Sequence, residues 1–190
     1  MGRERELKYL IRSPEPPPLP AGWNLGDERR VTEITDTYLD HANVMTSRGW
    51  ALRRREMERV PTRYTLKKSA QRDGAFLQRD ELEIEGEEIP EEIINELGAQ
   101  LASELLPLVQ IHQRRRSWPL RREGRLVADL TTDEIRSGRT HWCELEIEFA
   151  SSITDRSAAK LARELEAYFS SNEALTPSRQ SKVEAAIAAL

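Results

Sequence analysis

Carboxylates crowd one short stretch of this chain, where Glu144, Glu146 and Glu148 alternate with Cys143, Leu145, Ile147 and Phe149. At the period of two that a β-strand imposes, the glutamates share one face and the apolar residues take the other. Three like charges in register repel one another, and a bound cation is one reason for such a face to exist. The start of the chain alternates in the same way: Glu4, Glu6 and Lys8 lie on one face of segment 3–12, with Leu7, Tyr9 and Ile11 on the other. Arg53 and Arg55 share a face, as do Thr65 and Lys67, with Leu52, Tyr64 and Leu66 opposed. Arg79, Glu81 and Glu83 share another, backed by Leu82 and Ile84.

Such faces need strands to carry them. Period-two patterning marks eight strand candidates, at 3–12, 32–41, 49–58, 63–69, 76–85, 109–120, 125–131 and 141–149. The sixth and seventh read as a hairpin around Glu123-Gly124. Residues 14–26, with four prolines between Pro14 and Pro18, read as a loop without regular structure. Three amphipathic helices accompany the strands. The first, 90–106, puts Ile93, Ile94, Leu97, Leu101 and Leu105 on one stripe, with Pro90 in its first turn. The second, 154–170, opens at Thr154 and carries Leu161, Leu165, Tyr168 and Phe169. The third starts at Thr176-Pro177 and carries Val183, Ile187 and Leu190.

The 190 residues suit one domain spanning the chain, 1–190, and 38% hydrophobic residues suffice for a core. The net charge of -4 is the difference between 29 basic and 33 acidic residues, so many charges of both signs are present without the basic bias of a nucleic-acid binder. No specific nucleic-acid partner is expected. The single cysteine, Cys143, allows no intrachain disulfide, which fits a reducing compartment. The charged N-terminus lacks an apolar signal region, and no apolar run approaches the roughly 20 residues of a membrane helix. A soluble, cytoplasmic protein with no membrane partner is expected.

Two arrangements satisfy the alternating strands. Either the charged faces meet water around a sandwich core, or the apolar faces point outward under the helices and the charges line a wet tunnel. The like charges on single strands and the three amphipathic helices, which need an apolar surface to cover, favour the second.

At this point the residues match a known pattern. Glu4-x-Glu6-x-Lys8, Thr37-Tyr38-Leu39-Asp40, Leu52-Arg53-Arg54-Arg55, Tyr64-Thr65-Leu66-Lys67, Arg79-x-Glu81-x-Glu83 and Glu144-x-Glu146-x-Glu148, in that order, resemble the CYTH, or triphosphate tunnel metalloenzyme, superfamily. The first motif alone is weak; six in order on alternating strands are strong. The resemblance covers nearly the whole chain and implies an α+β fold, an eight-stranded antiparallel β-barrel with a charged interior and flanking helices. It also implies a triphosphate-containing substrate and a divalent metal, Mg2+ or Mn2+, in a hydrolase active on inorganic triphosphate. Nucleotide or thiamine triphosphatases and class IV-like adenylate cyclases belong to the same superfamily, and a non-catalytic polyphosphate-binding module is a further alternative. Members often form homodimers.

The residue types suit that chemistry. Arginine grips phosphate oxygens with a planar fork and lysine as a point charge. The resemblance gives this work to Lys8, Arg53, Arg55, Lys67, Arg79, one arginine of Arg114–Arg116, and Lys182 near the chain's end. Alternation means that either Arg114 and Arg116 or Arg115 faces the tunnel; counting from Ile111 against the family pattern favours Arg115. Magnesium and manganese prefer hard oxygens, which Glu4, Glu6, Glu144, Glu146 and Glu148 supply, with Asp129 a plausible partner from the neighbouring strand. Glu4, Glu6, Lys8, Arg53 and Arg55 are the expected catalytic set. Gln113 stands where many relatives have a lysine. His41, His112 and His141 are scattered without zinc-like spacing, Cys143 sits on an apolar face as a core residue, and Trp142 shares the glutamate face.

Overall fold

Strands with one charged and one apolar face close here in the inverted sense, charges inward. The computed structural model describes residues 2–29 and 31–188. Its strands are β1 (Gly2–Ile11), β2 (Trp23–Leu25), β3 (Thr32–Asp40), β4 (Ala51–Met57), β5 (Val60–Lys67), β6 (Gln71–Asp73), β7 (Phe76–Glu85), β8 (Leu106–Arg122), β9 (Arg125–Ser137), β10 (Thr140–Phe149) and β11 (Leu175–Pro177). The helices are short: α1 (Val44–Ser47), α2 (Glu91–Leu97), α3 (Ala99–Glu104), α4 (Asp155–Phe169) and α5 (Lys182–Ile187). The fold is therefore mostly β.

Eight strands run in the order β1-β10-β9-β8-β3-β4-β5-β7, every neighbour antiparallel, and β7 pairs back onto β1 to close the barrel. Register fixes which side chains point inward together. Glu6 stands opposite Glu148 and Lys8 opposite Glu146; Glu4 faces Arg79; Asp36 faces Arg55; Arg115 faces Asp133, which in turn faces Glu144. The three short strands each cover a stretch that a barrel partner leaves bare. β11 joins β1 at residues 9–11, beyond the reach of β7. β2 joins β8 at 120–122, past the end of β3. β6 lies beside residues 76–78 of β7, before β5 takes over.

The apolar faces lie outside. Ala158, Ala162, Leu165 and Phe169 of α4 pack on Leu7, Tyr9, Leu145 and Ile147. Ile93 and Leu97 of α2 pack on Leu52, Tyr64 and Leu66. Replacing Leu165, which is fully buried, by Ala is expected to cost about 2–5 kcal/mol of stability. It should leave catalytic constants unchanged, since α4 sits outside the barrel; thermal melting beside steady-state kinetics checks both parts. The third helix behaves differently. Val183 and Ala186 of α5 meet Tyr38, Val109, Ile111 and Ile135, which point inward by register, so α5 fills one end of the barrel.

Several boundaries differ from the sequence expectation. The stripe at 90–106 breaks at Gly98, whose φ of 86° lies in the region open to glycine, and becomes α2 and α3. The third helix begins at Lys182, not at Thr176-Pro177; Ser181 caps it and Glu184 closes a capping box, while Thr176-Pro177 belongs to β11. Leu190 lies outside the described residues. The proline-rich loop contains regular structure after all, in β2. Strands β8 and β9 are longer than their patterns suggest, and β9 runs on to Ser137. Among the described residues no helix is long and apolar enough to cross a membrane.

Candidate functional site

The barrel encloses a cavity of about 240 Å³. Of the residues named from the sequence, Glu4, Lys8, Arg53, Arg55, Lys67, Arg79, Arg115, Glu146, Glu148 and Lys182 line it. Tyr38, Arg63, Glu81 and Glu83 line it as well; Glu81 and Glu83 follow Arg79 at period two, which is the signal that finds them. Glu6 and Glu144 are buried in the same wall, 3% and 1% exposed, without reaching the cavity surface.

One half of the wall mixes signs at the cavity surface. Glu4 accepts hydrogen bonds from Lys67 Nζ at 2.6 Å and from Arg79 Nε. Against the burial that favours its neutral form, those two cations hold the Glu4 carboxyl down at about 2. Lys8 Nζ lies 2.8 Å from Glu144 and 3.6 Å from Glu146. Burial disfavours its charge, but Glu144 and Glu146 outweigh that and raise its pKa. Glu144 also accepts from the indole of Trp142 at 2.9 Å. The ion pair of Glu6 is a long one, to Arg79 at 3.9 Å. Burial, then Glu4 and Glu146, push its carboxyl up to about 8, and burial and Glu4 raise Glu148 too.

The folded Glu4 binds a proton only near pH 2, whereas an ordinary glutamate does so near 4.5. Added acid therefore protonates the unfolded chain first. The stabilisation from Glu4 is complete above pH 4.5 and is lost as pH falls toward 2. Asp36 and Asp133, whose pKa values are also lowered, add loss in the same direction. An acid titration followed by circular dichroism is expected to show stability declining through this window, and Glu4→Gln should flatten the decline.

The donor chemistry of this half suits a hard divalent cation. Five carboxylates on the paired strands β1 and β10 take the inward face, with Glu6 directly across from Glu148, and a cation would relieve the repulsion that raises both. Glu4, Glu6, Glu144, Glu146 and Glu148 are the residues able to hold it. Among the described residues no three such side chains already form a coordination group, because Glu4 and Glu146 are turned toward lysine and arginine. Asp129 lies on the inward face opposite Glu148, but at the rim: it is bound on both oxygens by Arg29, at 3.0 and 2.8 Å, and does not line the cavity.

The other half is built from cations backed by two fully buried aspartates. Asp36 accepts from Arg55 Nε and Nη2, both at 2.7 Å, and from Gln113 at 2.5 Å, with Arg53 at 3.8 Å. Asp133 accepts from Arg115 at 2.7 and 2.6 Å and from Lys182 at 2.6 Å. Of the arginine run, Arg115 points inward. Arg114 pairs outside with Glu33 and Glu134, and Arg116 with Glu28 and Glu15 over the ring of Trp118. Sequence reading missed both aspartates. Asp36 precedes the Thr37-Tyr38 motif at the inward register, and Asp133 follows Asp129 and Thr131 at period two on a strand taken to end early.

A charge-lined tunnel of this topology agrees with what the chain resembles. Among curated proteins none matches it. Solved structures do match in fold. A candidate adenylyl cyclase from Hippeastrum, described as having a dominant triphosphatase activity, is 18% identical with a TM-score of 0.65, covering 98% of this chain and 96% of its own. A Pyrococcus horikoshii protein is 18% identical with a TM-score of 0.64, covering 98% and 99%. A candidate adenylate cyclase from Bacillus halodurans is 18% identical with a TM-score of 0.58, covering 82% of each chain. The CYTH domain family matches residues 2–186. With six ordered motifs on an inverted eight-stranded barrel and a match over nearly its whole length, this chain belongs to the CYTH domain family.

Proposed function

We propose that the protein hydrolyses inorganic triphosphate to phosphate and diphosphate with the help of Mg2+ or Mn2+. The observation that carries this reading is the composition of the tunnel lining. Lys8, Arg53, Arg55, Lys67, Arg79, Arg115 and Lys182 converge on about 240 Å³, and among the described residues Tyr38 is the only aromatic one in its lining. Such a wall grips phosphate oxygens from several sides and offers little surface on which a base would stack.

Phosphoryl transfer asks mainly for positioning and charge neutralisation, so no protein nucleophile is needed. Arg53, Arg55, Arg115 and Lys182 hold the phosphate chain. Lys67 and Arg79 exchange Glu4, and Arg115 and Lys182 exchange Glu146, for phosphate oxygens, so that Glu4 and Glu146 would become available to hold a cation. The chemistry such a cation supplies is Lewis-acid neutralisation of phosphate oxygens. Water attacks the terminal phosphorus, a wall glutamate takes its proton, and the bridging P–O bond breaks toward diphosphate.

A second reading rests on a second cavity of about 230 Å³, which meets the first at Ala51, Arg79, Ser181 and Val183 and is bordered by Trp50. A nucleoside or thiamine attached to the triphosphate would have room there, as a nucleotide or thiamine triphosphatase or an adenylate cyclase requires. The Trp50 ring is already attended by Lys68 at 5.3 Å and Arg48 at 5.9 Å, which favours the inorganic substrate. Phosphate release from inorganic triphosphate, ATP and thiamine triphosphate, each with Mg2+ or Mn2+, separates the readings. Inorganic triphosphate is expected to give the highest kcat/KM; its being the poorest substrate would sink the claim, and cyclic AMP with diphosphate would identify a cyclase. Binding without any turnover would identify a polyphosphate-binding module.

A further inference from the structure

The two halves of the wall hold their cations in different ways. Lys67 and Arg79 are held by Glu4, which itself lines the cavity. Arg55 and Arg115 are held by Asp36 and Asp133, which are 0% exposed and contribute nothing to the lining, and Arg115 is shared with the lining carboxylate of Glu146 at 2.9 Å. A ligand entering the cavity therefore competes with Glu4 for Lys67 and Arg79 and with Glu146 for Arg115 and Lys182, whereas it reaches Arg55 with that arginine's carboxylate partner, Asp36, behind the wall. The geometry behind the wall is specific. Each aspartate takes Nε and Nη2 of one arginine side-on, at 2.6–2.7 Å, which fixes the plane of the fork; the remaining edge is left for another anion on Arg55 and is taken by Glu146 on Arg115. Each also steadies a second cation, Arg53 at 3.8 Å from Asp36 and Lys182 at 2.6 Å from Asp133.

We infer that Asp36 and Asp133 are positioning residues, which act through Arg53, Arg55, Arg115 and Lys182 to make this half of the tunnel a preformed polyanion site that needs no metal. The inference rests on the reading of the cavity as a triphosphate site. A carboxylate beneath a cation also tempers its pull on phosphate. The aspartates are nonetheless net favourable for binding, because a buried guanidinium freed of its clamp leaves the geometry that a phosphate oxygen can use.

The test is calorimetric binding of inorganic triphosphate to the full chain in excess chelator. Wild type is compared with Asp36→Asn, Asp133→Asn, Arg55→Gln and the double variant Asp36→Asn/Arg55→Gln, each checked by thermal melting. Each aspartate change is expected to weaken metal-free binding at least about tenfold, the scale of one charge-assisted contact. In the Arg55→Gln background, Asp36→Asn should cost little more, since its action passes mainly through that arginine. Unchanged binding in both aspartate variants, or fully additive losses in the double variant, overturns the inference while leaving the triphosphate reading intact. Failure of wild type to bind triphosphate in chelator overturns the preformed, metal-free site; if binding stays absent when Mg2+ is restored, the triphosphate reading falls instead. Should the aspartate variants not fold, nitrogen-detected exchange in the wild type decides. The Nε–H groups of Arg55 and Arg115 are expected to exchange slowly with solvent before any ligand is added, and rapid exchange overturns the inference.

Discussion

Changing Glu4 and Glu6 together to Gln is expected to abolish metal-dependent phosphate release, with kcat/KM falling by about a thousandfold or more, equivalent to roughly 4 kcal/mol of transition-state stabilisation. The substitution keeps size and hydrogen-bonding capacity and removes two of the carboxylates that could hold a cation. It also removes the negative charge to which Lys67 and Arg79 are bound, so those two cations become freer to engage a polyanion. Affinity for triphosphate in chelator should therefore persist or rise while turnover disappears. Opposite movement of binding and turnover distinguishes loss of a metal site from general collapse of the tunnel, and Mn2+ titration followed by electron paramagnetic resonance reads the metal directly. Undiminished turnover in the double variant would falsify the assignment of these two carboxylates.

Arg55→Met carries the largest expected effect on stability. Asp36 is fully buried, and its strongest contacts are the two 2.7 Å bonds from Arg55. Removing that guanidinium leaves a buried carboxylate with Gln113 and a more distant Arg53. Breaking a buried pair from one side costs about 3–5 kcal/mol, because one charge is left uncompensated. The melting temperature should drop accordingly, and KM for triphosphate should rise. Asp36→Leu added to Arg55→Met removes the stranded charge and is expected to restore much of the lost stability without restoring substrate binding. Recovery of both properties in the double variant would mean that Arg55 matters only to the fold. Arg55→Lys should fall between wild type and Met, since an ammonium keeps the charge but cannot span both oxygens of Asp36 side-on.

The parts of this molecule that sequence makes legible are those governed by period two over long stretches. Glu144 to Glu148 and Glu4 to Lys8 sit on inward faces because the pleat leaves no other choice once Leu145, Ile147 and Leu7 are buried under α4. What escaped the pattern escaped for local reasons. Strand β9 turns polar at Thr131-Thr132-Asp133-Glu134, which reads as a turn. It stays extended because ten rungs against β10 and the long β8 hold it, and so Asp133 was lost from view. The three-residue strands β2, β6 and β11 have no periodicity to detect; each exists because a longer neighbour offers unpaired backbone groups. Helix α5 was legible as amphipathic, but not its destination. Val183 and Ala186 look alike whether they face the outside of a barrel or its mouth, and only the inward Ile111 and Ile135 make the mouth apolar. Asp129 shows the converse limit: its register faces the lumen, yet Arg29 claims it at the rim.

Each long strand in this barrel has neighbours on both sides, since β7 returns to β1, and the short strands extend the pairing of β1, β8 and β7. The strands added outside the barrel are segments of three residues, Trp23–Leu25, Gln71–Asp73 and Leu175–Pro177, each only about 10 Å long. Pro177 adds a position with no N–H to offer. A foreign strand seeking a template finds little backbone to zip onto along these added strands, and closure of the barrel removes the full-length edge through which open sheets polymerise. Closure thus does two things at once: it gathers the charges into one lumen and takes the long strands' backbone out of reach of another sheet.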